Sequence, residues 1–330
     1  GETIEADVVV SAVGMFGAPS FPEIEGLADF EGTCFHSALW DEEHDLSGET
    51  VGVIGSAASA VQFVPEIVKV ASQVHLFQRT ANWVLPKNDE PYTNEERERF
   101  RSDLAAVQAA RDDIWNTLDP GGAGAFTSIH AQMEEVCRAH MAVVEDPEIR
   151  RKLEPEHPWG CKRPLLSNHN YPAFNRPDLE LVTEGIERIT SKSVVTVDGR
   201  ERPVDTLILA TGYETTKFAS VIDFEGRDGL PISEAWRDGA QAYKGVMTSG
   251  FPNLLMLYGP NTNGDSLITT IEFEAQYAVR QIQRLVDEGL AWIDVKRAAM
   301  DAYNEKLQKD IATVSPWQSG VRDYYRSPTG

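Results

Sequence analysis

Three consecutive stretches decide the fold: Thr50–Gly55 (TVGVIG), Ser56–Ala60 (SAASA) and Gln73–Gln78 (QVHLFQ). The first is a short apolar run closed by Gly, the pattern of a buried strand. The second is a turn of small residues. From Ala58 to Ala71, apolar side chains recur at Val61, Val64, Ile67, Val68 and Ala71, which is helical spacing. Pro65 interrupts this run and predicts a kink in the first turns, because proline has no backbone donor. The third stretch is the next strand. Strand, turn, helix and strand in this order make half of a doubly wound α/β fold.

Outward from this unit, Ala6–Gly14 (ADVVVSAVG) and Val204–Gly212 (VDTLILATG) resemble each other. Each places Asp before the apolar run, Asp7 or Asp205, and ends in A-x-G. The duplication suggests two related nucleotide-binding units. After Gly160 the sheet is expected to resume with Leu179–Val182 and Ser193–Val197, and Asp198-Gly199 reads as a hairpin turn. Thr93-x-x-Glu96 is a capping box opening a helical stretch to about Thr117. Asp119–Gly124 (DPGGAG) breaks it, and a second helical stretch runs to about Val144, so 93–156 reads as a helical insertion. Leu254–Tyr258 is a buried strand, Gly259–Asp265 a loop, and a long helix follows from about Leu267 to Glu288.

The turn after the first strand carries chemical information. A dinucleotide turn, G-x-G-x-x-G/A, needs small residues so that the backbone can approach a pyrophosphate lying on the helix N-terminus. Here it reads Gly55-Ser56-Ala57-Ala58-Ser59-Ala60, with Ala57 where the middle Gly is usual. That methyl group weakens the motif, and a plain tight turn would share it. The end of the next strand discriminates better. Gln78-Arg79-Thr80 has no acidic residue to accept from a ribose hydroxyl, and Arg79 is a fork-shaped donor suited to a 2′-phosphate. This favours NADPH over NADH, against the plainer reading of a surface Arg.

Composition narrows the rest. The 330 residues, 42% hydrophobic, suffice for roughly two domains. Seven Trp, nine Tyr and thirteen Phe argue against a disordered chain. A formal net charge of −22 argues against nucleic acid and anionic membranes as partners. The few basic clusters are therefore informative. No apolar run of about 18 residues predicts a membrane span, and no secretory leader is visible. Cys34, Cys137 and Cys161 form no C-x-x-C, so reduced thiols and a cytoplasmic location are expected, and the seven His show no metal-ligand spacing.

Phe30-Glu31-Gly32-Thr33-Cys34-Phe35-His36-Ser37-Ala38-Leu39-Trp40-Asp41 resembles the fingerprint F-x-G-x-x-x-H-x-x-x-W-[P/D] of Baeyer–Villiger flavin-containing monooxygenases. It matches at Phe30, Gly32, His36, Trp40 and Asp41, and it reads as an inter-domain linker rather than the seat of the chemistry. Gln78-Arg79-Thr80 resembles the family's 2′-phosphate loop, and Ala210-Thr211-Gly212-Tyr213 its A-T-G-[Y/F] strand end. Cys161-Lys162-Arg163-Pro164, followed by Tyr171–Arg176, resembles its K-R segment. The resemblance covers nearly the whole chain and is least specific in the helical insertion. It implies FAD and NADPH as cofactors, and a ketone and O2 as substrates. One O2-derived oxygen would be inserted to give an ester or lactone. Arg163 would then be the catalytic cation facing developing negative charge, and Lys162 would reach the 2′-phosphate.

The implied architecture is α/β, with two dinucleotide-binding, Rossmann-like domains and a helical insertion in the NADP domain. Residues 1–46 would be a remnant of the FAD domain plus the fingerprint linker, and 47–92 with 157–213 the NADP domain. Residues 93–156 would be the insertion and 214–330 the C-terminal part of the FAD domain. The chain departs from the family in lacking the FAD turn and the Asp expected beside the catalytic Arg, so the FAD domain is expected to be incomplete. Ala12-Val13-Gly14 also replaces an A-T-G strand end. Weak FAD binding and a fragment of a longer enzyme are the expectation. The competing activities are N- or S-oxygenation, or an inactive NADP-binding module. A disulfide reductase is disfavoured by the missing C-x-x-C.

Overall fold

In the computed structural model, residues 1–118, 130–216, 218, 222–262, 267–314 and 320 are described. The strands are β1 (Val9–Ser11), β2 (Thr33–His36), β3 (Thr50–Ile54), β4 (Gln73–Phe77), β5 (Val84–Leu85) and β6 (Leu165–Leu166). They continue with β7 (Leu179–Val182), β8 (Ile186–Ile189), β9 (Ser193–Thr196), β10 (Glu201–Pro203), β11 (Thr206–Leu209) and β12 (Leu254–Met256). The helices are α1 (Ala58–Ile67), α2 (Asn94–Ser102), α3 (Leu104–Leu118), α4 (His130–Met141) and α5 (Pro147–Leu153). The remaining ones are α6 (Asn170–Ala173), α7 (Ile232–Ala235), α8 (Leu267–Asp287) and α9 (Arg297–Ile311). Contacts divide the chain into two units. One comprises Gly1–Ala18, Glu90–Ser128 and Tyr213–Gly330; the other, Pro19–Asp89 and Ile129–Gly212.

The second unit holds a five-stranded sheet in the order β2-β11-β3-β4-β7. All its pairings are parallel. The register aligns His36, Leu209, Ile54, Phe77 and Val182 in one row, so the carboxyl ends of all five strands lie level. The chain builds outward from β3 through β4 to β7, then returns to the other side of β3 with β11. That reversal is the switch point at which open α/β sheets bind ligands.

Alternation along the strands separates two cores. Val51, Val53, Leu76 and Ile208 pack against α1 through Ala60, Val61, Val64 and Val68. Ile54, Phe77, Leu207 and Leu209 turn to the opposite side, with Val194 and Ile189. Val51, Val53 and Val64 are at most 1% exposed. Each contributes about 1.5–3 kcal/mol by burial, which keeps α1 seated despite Pro65. Pro65 lies near the end of α1, and the ladder continues past it with the Val68 N–H on the Val64 carbonyl at 3.1 Å. The helix stops four residues short of Ala71, where the chain tightens into i→i−3 bonds, Lys69 N–H to Glu66 and Val70 N–H to Ile67.

Three expectations are corrected. Ser193–Thr196 does not join the parallel sheet: it is the middle strand of an antiparallel sheet, β10-β9-β8. The Asp198-Gly199 turn forms as expected, and by reversing the chain within a few residues it dictates antiparallel pairing. Part of the fingerprint, Thr33–His36, is an edge strand of the main sheet rather than a linker throughout. The helical stretch after Thr93 is two helices. Thr93 and Glu96 form the reciprocal capping box of α2. Asp103 then ends it, its carboxylate accepting the N–H groups of Ala105 (2.9 Å) and Ala106 (3.2 Å) at the start of α3. Asp119–Gly124 lies outside the described residues, as does the end of the Gly259–Asp265 loop.

In the first unit β1 pairs in parallel with β12, Val9 opposite Leu254 and Ser11 opposite Met256. Val246, Met247, Leu255, Ala278 of α8 and Ile293 form a small core there. Among the described residues no helix is long and apolar enough to cross a membrane.

Candidate dinucleotide site

All the site residues singled out by sequence fall in the second unit. The glycine turn, Arg79, Thr80, His36, Thr211 and Gly212 lie at or just past the carboxyl ends of its parallel strands, whereas Phe30 and Gly32 lie at the amino end of β2 and Lys162-Arg163 ahead of β6. Gly55 follows β3 with φ 107°, and a Cβ there would stand 2.4 Å from the Ala210 carbonyl oxygen. Only glycine fits both demands. Ala57, at φ −89°, is the exposed N-cap of α1 and is unstrained, so its methyl group disturbs nothing within the chain. No side chain caps this helix, and its first turn, with Ser59 and Ala60, carries no acidic residue. Its first N–H groups lack helical acceptors and carry the positive end of the helix dipole, an arrangement suited to a pyrophosphate.

The Ser56 hydroxyl donates to the Thr80 carbonyl at 3.4 Å, and the Asn82 amide donates to the carbonyls of both Ser56 and Thr80, each at 3.4 Å. The turn is thereby tied to the strand end carrying Arg79. Gln78 is buried and donates to the Lys152 carbonyl at 2.8 Å, while Arg79 and Thr80 are exposed beside it. Behind the turn, Ser56, Gln78, Asn82 and Asn170 border a cavity of about 10 Å³, near the size that admits one water.

The fingerprint converges on the end of β11. His36 is 1% exposed, and its ring lies beside the Gly212 backbone. Burial holds its pKa below the ordinary imidazole value, partly opposed by the Gly212 backbone. The His36 Nδ1 accepts the Ala38 N–H at 3.0 Å, and Phe21 packs on the ring at 5.4 Å. The Thr211 hydroxyl donates to the Ser20 carbonyl at 2.6 Å, and the Ser20 N–H donates to the Gly212 carbonyl at 2.9 Å. Gly32 is required where it stands, since a Cβ would lie 2.2 Å from the Asp205 carbonyl oxygen and against the Phe30 ring. Trp40 packs edge-on against Phe35 (5.1 Å) and against Phe63 of α1 (5.3 Å). Asp41 caps its own turn, accepting the Glu43 N–H at 3.1 Å.

Lys162 and Arg163 stand just ahead of β6, Lys162 half-buried and Arg163 exposed. β6 pairs in parallel with β5, Val84 opposite Leu165, and β5 follows Arg79 and Thr80. Two short strands paired in parallel start from the same end, so both basic segments enter this ladder together. His157, on the turn before Lys162, is 8% exposed. Burial first, then the Lys162 charge, pushes its pKa down to about 4, against an opposing pull from Glu134. Sequence reading missed Asn82, Ser20 and Trp83, which hold these segments together. Their only signal is proximity to the motifs, since each acts through bonds to distant carbonyls.

Sheet order, the glycine turn and the uncapped helix define a dinucleotide-binding protein of the doubly wound class. A family model described as pyridine nucleotide-disulphide oxidoreductase matches residues 1–111. The chain is 37% identical over 335 residues to a Baeyer–Villiger monooxygenase of Pseudomonas aeruginosa, covering 99% of the chain and 63% of that protein. It is 35% identical over 335 residues to an uncharacterized monooxygenase of Mycobacterium bovis, covering 100% of the chain and 67% of that protein. A crystal structure of OTEMO in complex with FAD and NADP superposes with a TM-score of 0.81 at 27% identity, over 94% of this chain and 67% of that one. The chain belongs to the Baeyer–Villiger flavin-containing monooxygenase family. It spans somewhat under two thirds of the length of its Pseudomonas aeruginosa relative.

Proposed function

We propose that this chain is part of an NADPH- and FAD-dependent monooxygenase that inserts one oxygen atom from O2 into a ketone, giving an ester or lactone. The observation that supports it most is the parallel β5–β6 pairing, which starts the Arg79 and Lys162-Arg163 segments from the same end of one ladder. NADPH fits the second unit. Its pyrophosphate would lie at the N-terminus of α1, against Gly55, Ser56, Ala57, Ser59 and Ala60. Its 2′-phosphate would be held by Arg79, Thr80 and Lys162, with Thr211 and Gly212 closing the strand-end side. Residues 47–92 and 157–213 would then form the NADP domain and 93–156 the helical insertion, whose front, to Ser128, groups with the first unit; 1–46 and 214–330 would be the flanking parts.

The first unit suits a flat aromatic cofactor beyond β1 and β12. Phe16, Tyr213 and Tyr258 cluster there, with ring centroids 5.2 and 6.4 Å apart from Phe16. FAD, when bound, supplies the two-electron activation of O2. Arg163 is exposed, and its guanidinium is suited to stabilise the negative charge that develops on the ketone oxygen. The fingerprint residues Phe30, Gly32, His36, Trp40 and Asp41 act indirectly, by fixing β2 and the Gly212 strand end against α1. A cytoplasmic location accords with the acidic surface and the unpatterned cysteines.

The test is NADPH consumption by the full-length protein over a ketone panel in 18O2, with mass detection of the product. A labelled ester supports the reading; N- or S-oxides with no ester overturn it. Arg163→Ala is expected to keep NADPH-driven flavin reduction and to lower ester formation by about 10²-fold or more. An unchanged ester yield removes Arg163 from this role.

A further inference from the structure

We propose that Trp83 is a positioning residue that sets the placement of Lys162 relative to Arg79, and so tunes the preference for a 2′-phosphorylated dinucleotide. The inference rests on the cofactor reading above. Trp83 is 3% exposed and lies four residues after Arg79. Its indole N–H donates to the His157 carbonyl at 2.8 Å, and its own carbonyl accepts the Leu165 N–H at 3.0 Å. The two bonds bracket Lys162 and Arg163, one landing before the pair and one after it.

A second layer braces the same turn. The Arg138 guanidinium covers the Trp83 ring at 5.2 Å from its centroid. Arg138 is held by Glu154 at 2.7 Å and by Glu134 at 3.3 Å. The other Glu134 oxygen accepts the Trp159 N–H at 3.0 Å, so α4 grips the turn between His157 and Lys162. The arrangement links the segment after Arg79, between β4 and β5, to the turn that carries Lys162.

The consequence follows from the ligand's chemistry. A phosphate monoester gripped by an Arg and a Lys needs both cations in register, since charge-assisted hydrogen bonds depend on geometry. A dinucleotide without the 2′-phosphate makes no use of the pair. Loosening the brace must therefore weaken the phosphorylated ligand selectively. A loss of general stability would weaken both ligands alike.

The experiment is calorimetric titration of the chain with NADP⁺ and with NAD⁺. Trp83→Phe keeps the ring and removes the indole donor. It is expected to weaken NADP⁺ about fivefold, the effect of one hydrogen bond, with NAD⁺ changed less than about twofold. Equal weakening of both, or of neither, overturns the proposal. Glu134→Ala, on the brace's outer layer, is expected to shift the ratio in the same direction by about twofold, and it decides the matter if Trp83→Phe does not fold. An unchanged ratio in Glu134→Ala then overturns the proposal. Arg79→Ala separates the two levels. If it leaves the NADP⁺ to NAD⁺ ratio unchanged, the cofactor reading itself fails. If it collapses the ratio while Trp83→Phe does not alter it, only the role of Trp83 fails.

Discussion

The two A-x-G strand ends, Ala210-Thr211-Gly212 and Ala12-Val13-Gly14, come from nearly the same sequence pattern and meet different surroundings. β11 has a neighbour on each side, and all four of its residues are buried. Among the described residues β1 pairs only with β12, and its Val9 and Val10 are 49% and 46% exposed. After β11, the Thr211 hydroxyl and the Gly212 carbonyl latch Ser20, and the buried His36 lies beside Gly212. After β1, Val13 is 37% exposed, and the neighbouring Tyr258 is held instead by Glu274, whose carboxylate accepts the Tyr258 N–H at 2.6 Å. The comparison teaches that the pattern specifies a strand and its turn. Sheet position then decides burial, and the latching residues come from elsewhere in the chain.

The largest effect expected from breaking the second unit's strand ends is at Gly55. Gly55→Ala sets a methyl group against the Ala210 carbonyl at a positive φ, and should lower stability by about 3 kcal/mol or more. Denaturant unfolding followed by tryptophan fluorescence measures it, and a loss under about 1 kcal/mol would refute the steric argument. Thr211→Val makes the second unit's strand end resemble the first. It removes one short hydrogen bond and should lower stability by about 1 kcal/mol. The reciprocal Val13→Thr should change stability by less than about 0.5 kcal/mol, because that position is partly exposed. A large gain from Val13→Thr would mean that the hydroxyl, rather than its setting, makes the latch.

Acid should act on the two latches in opposite directions. Burial holds His36 below its ordinary value of 6.5, so the unfolded chain binds the proton first, and this contribution to stability is lost as pH falls below 6.5. Burial raises Glu274 above its ordinary 4.5, so its contribution is complete below 4.5 and is lost as pH rises through the folded value. Hydrogen exchange at pH 7 and pH 5 should show the amides of β11 losing protection on acidification relative to those of β12. Glu274→Gln should flatten the change in β12. Parallel behaviour of the two strands would contradict the assignment of these latches. His157, pushed down to about 4, should add a larger effect on the second unit in the same sense as His36.

Much of the fold was legible because it is local. The β3–α1–β4 unit, the Thr93 capping box and the Asp198-Gly199 hairpin are each set by residues within a short span, and each forms. The resemblance to the family was carried by the Phe30–Asp41 spacing and by Lys162-Arg163, both quoted directly from the sequence. Sheet membership was not legible. A buried apolar run such as Ser193–Thr196 reads the same in either sheet, and its partner is fixed by the turn that follows. The β5–β6 pairing was also hidden, because two-residue strands about eighty positions apart carry no periodicity. The side chains that hold the site together, Asn82, Trp83 and Glu134, bind backbone groups far along the chain, and such bonds leave no local pattern.

The central claim is that the second unit holds NADPH through its 2′-phosphate. Calorimetric affinities of the wild-type chain for NADP⁺ and NAD⁺ at one salt concentration test it most directly. The account predicts NADP⁺ bound at least about tenfold more tightly, with the difference abolished in Arg79→Ala. Equal affinities in the wild type, or a preference that survives loss of Arg79, would contradict it.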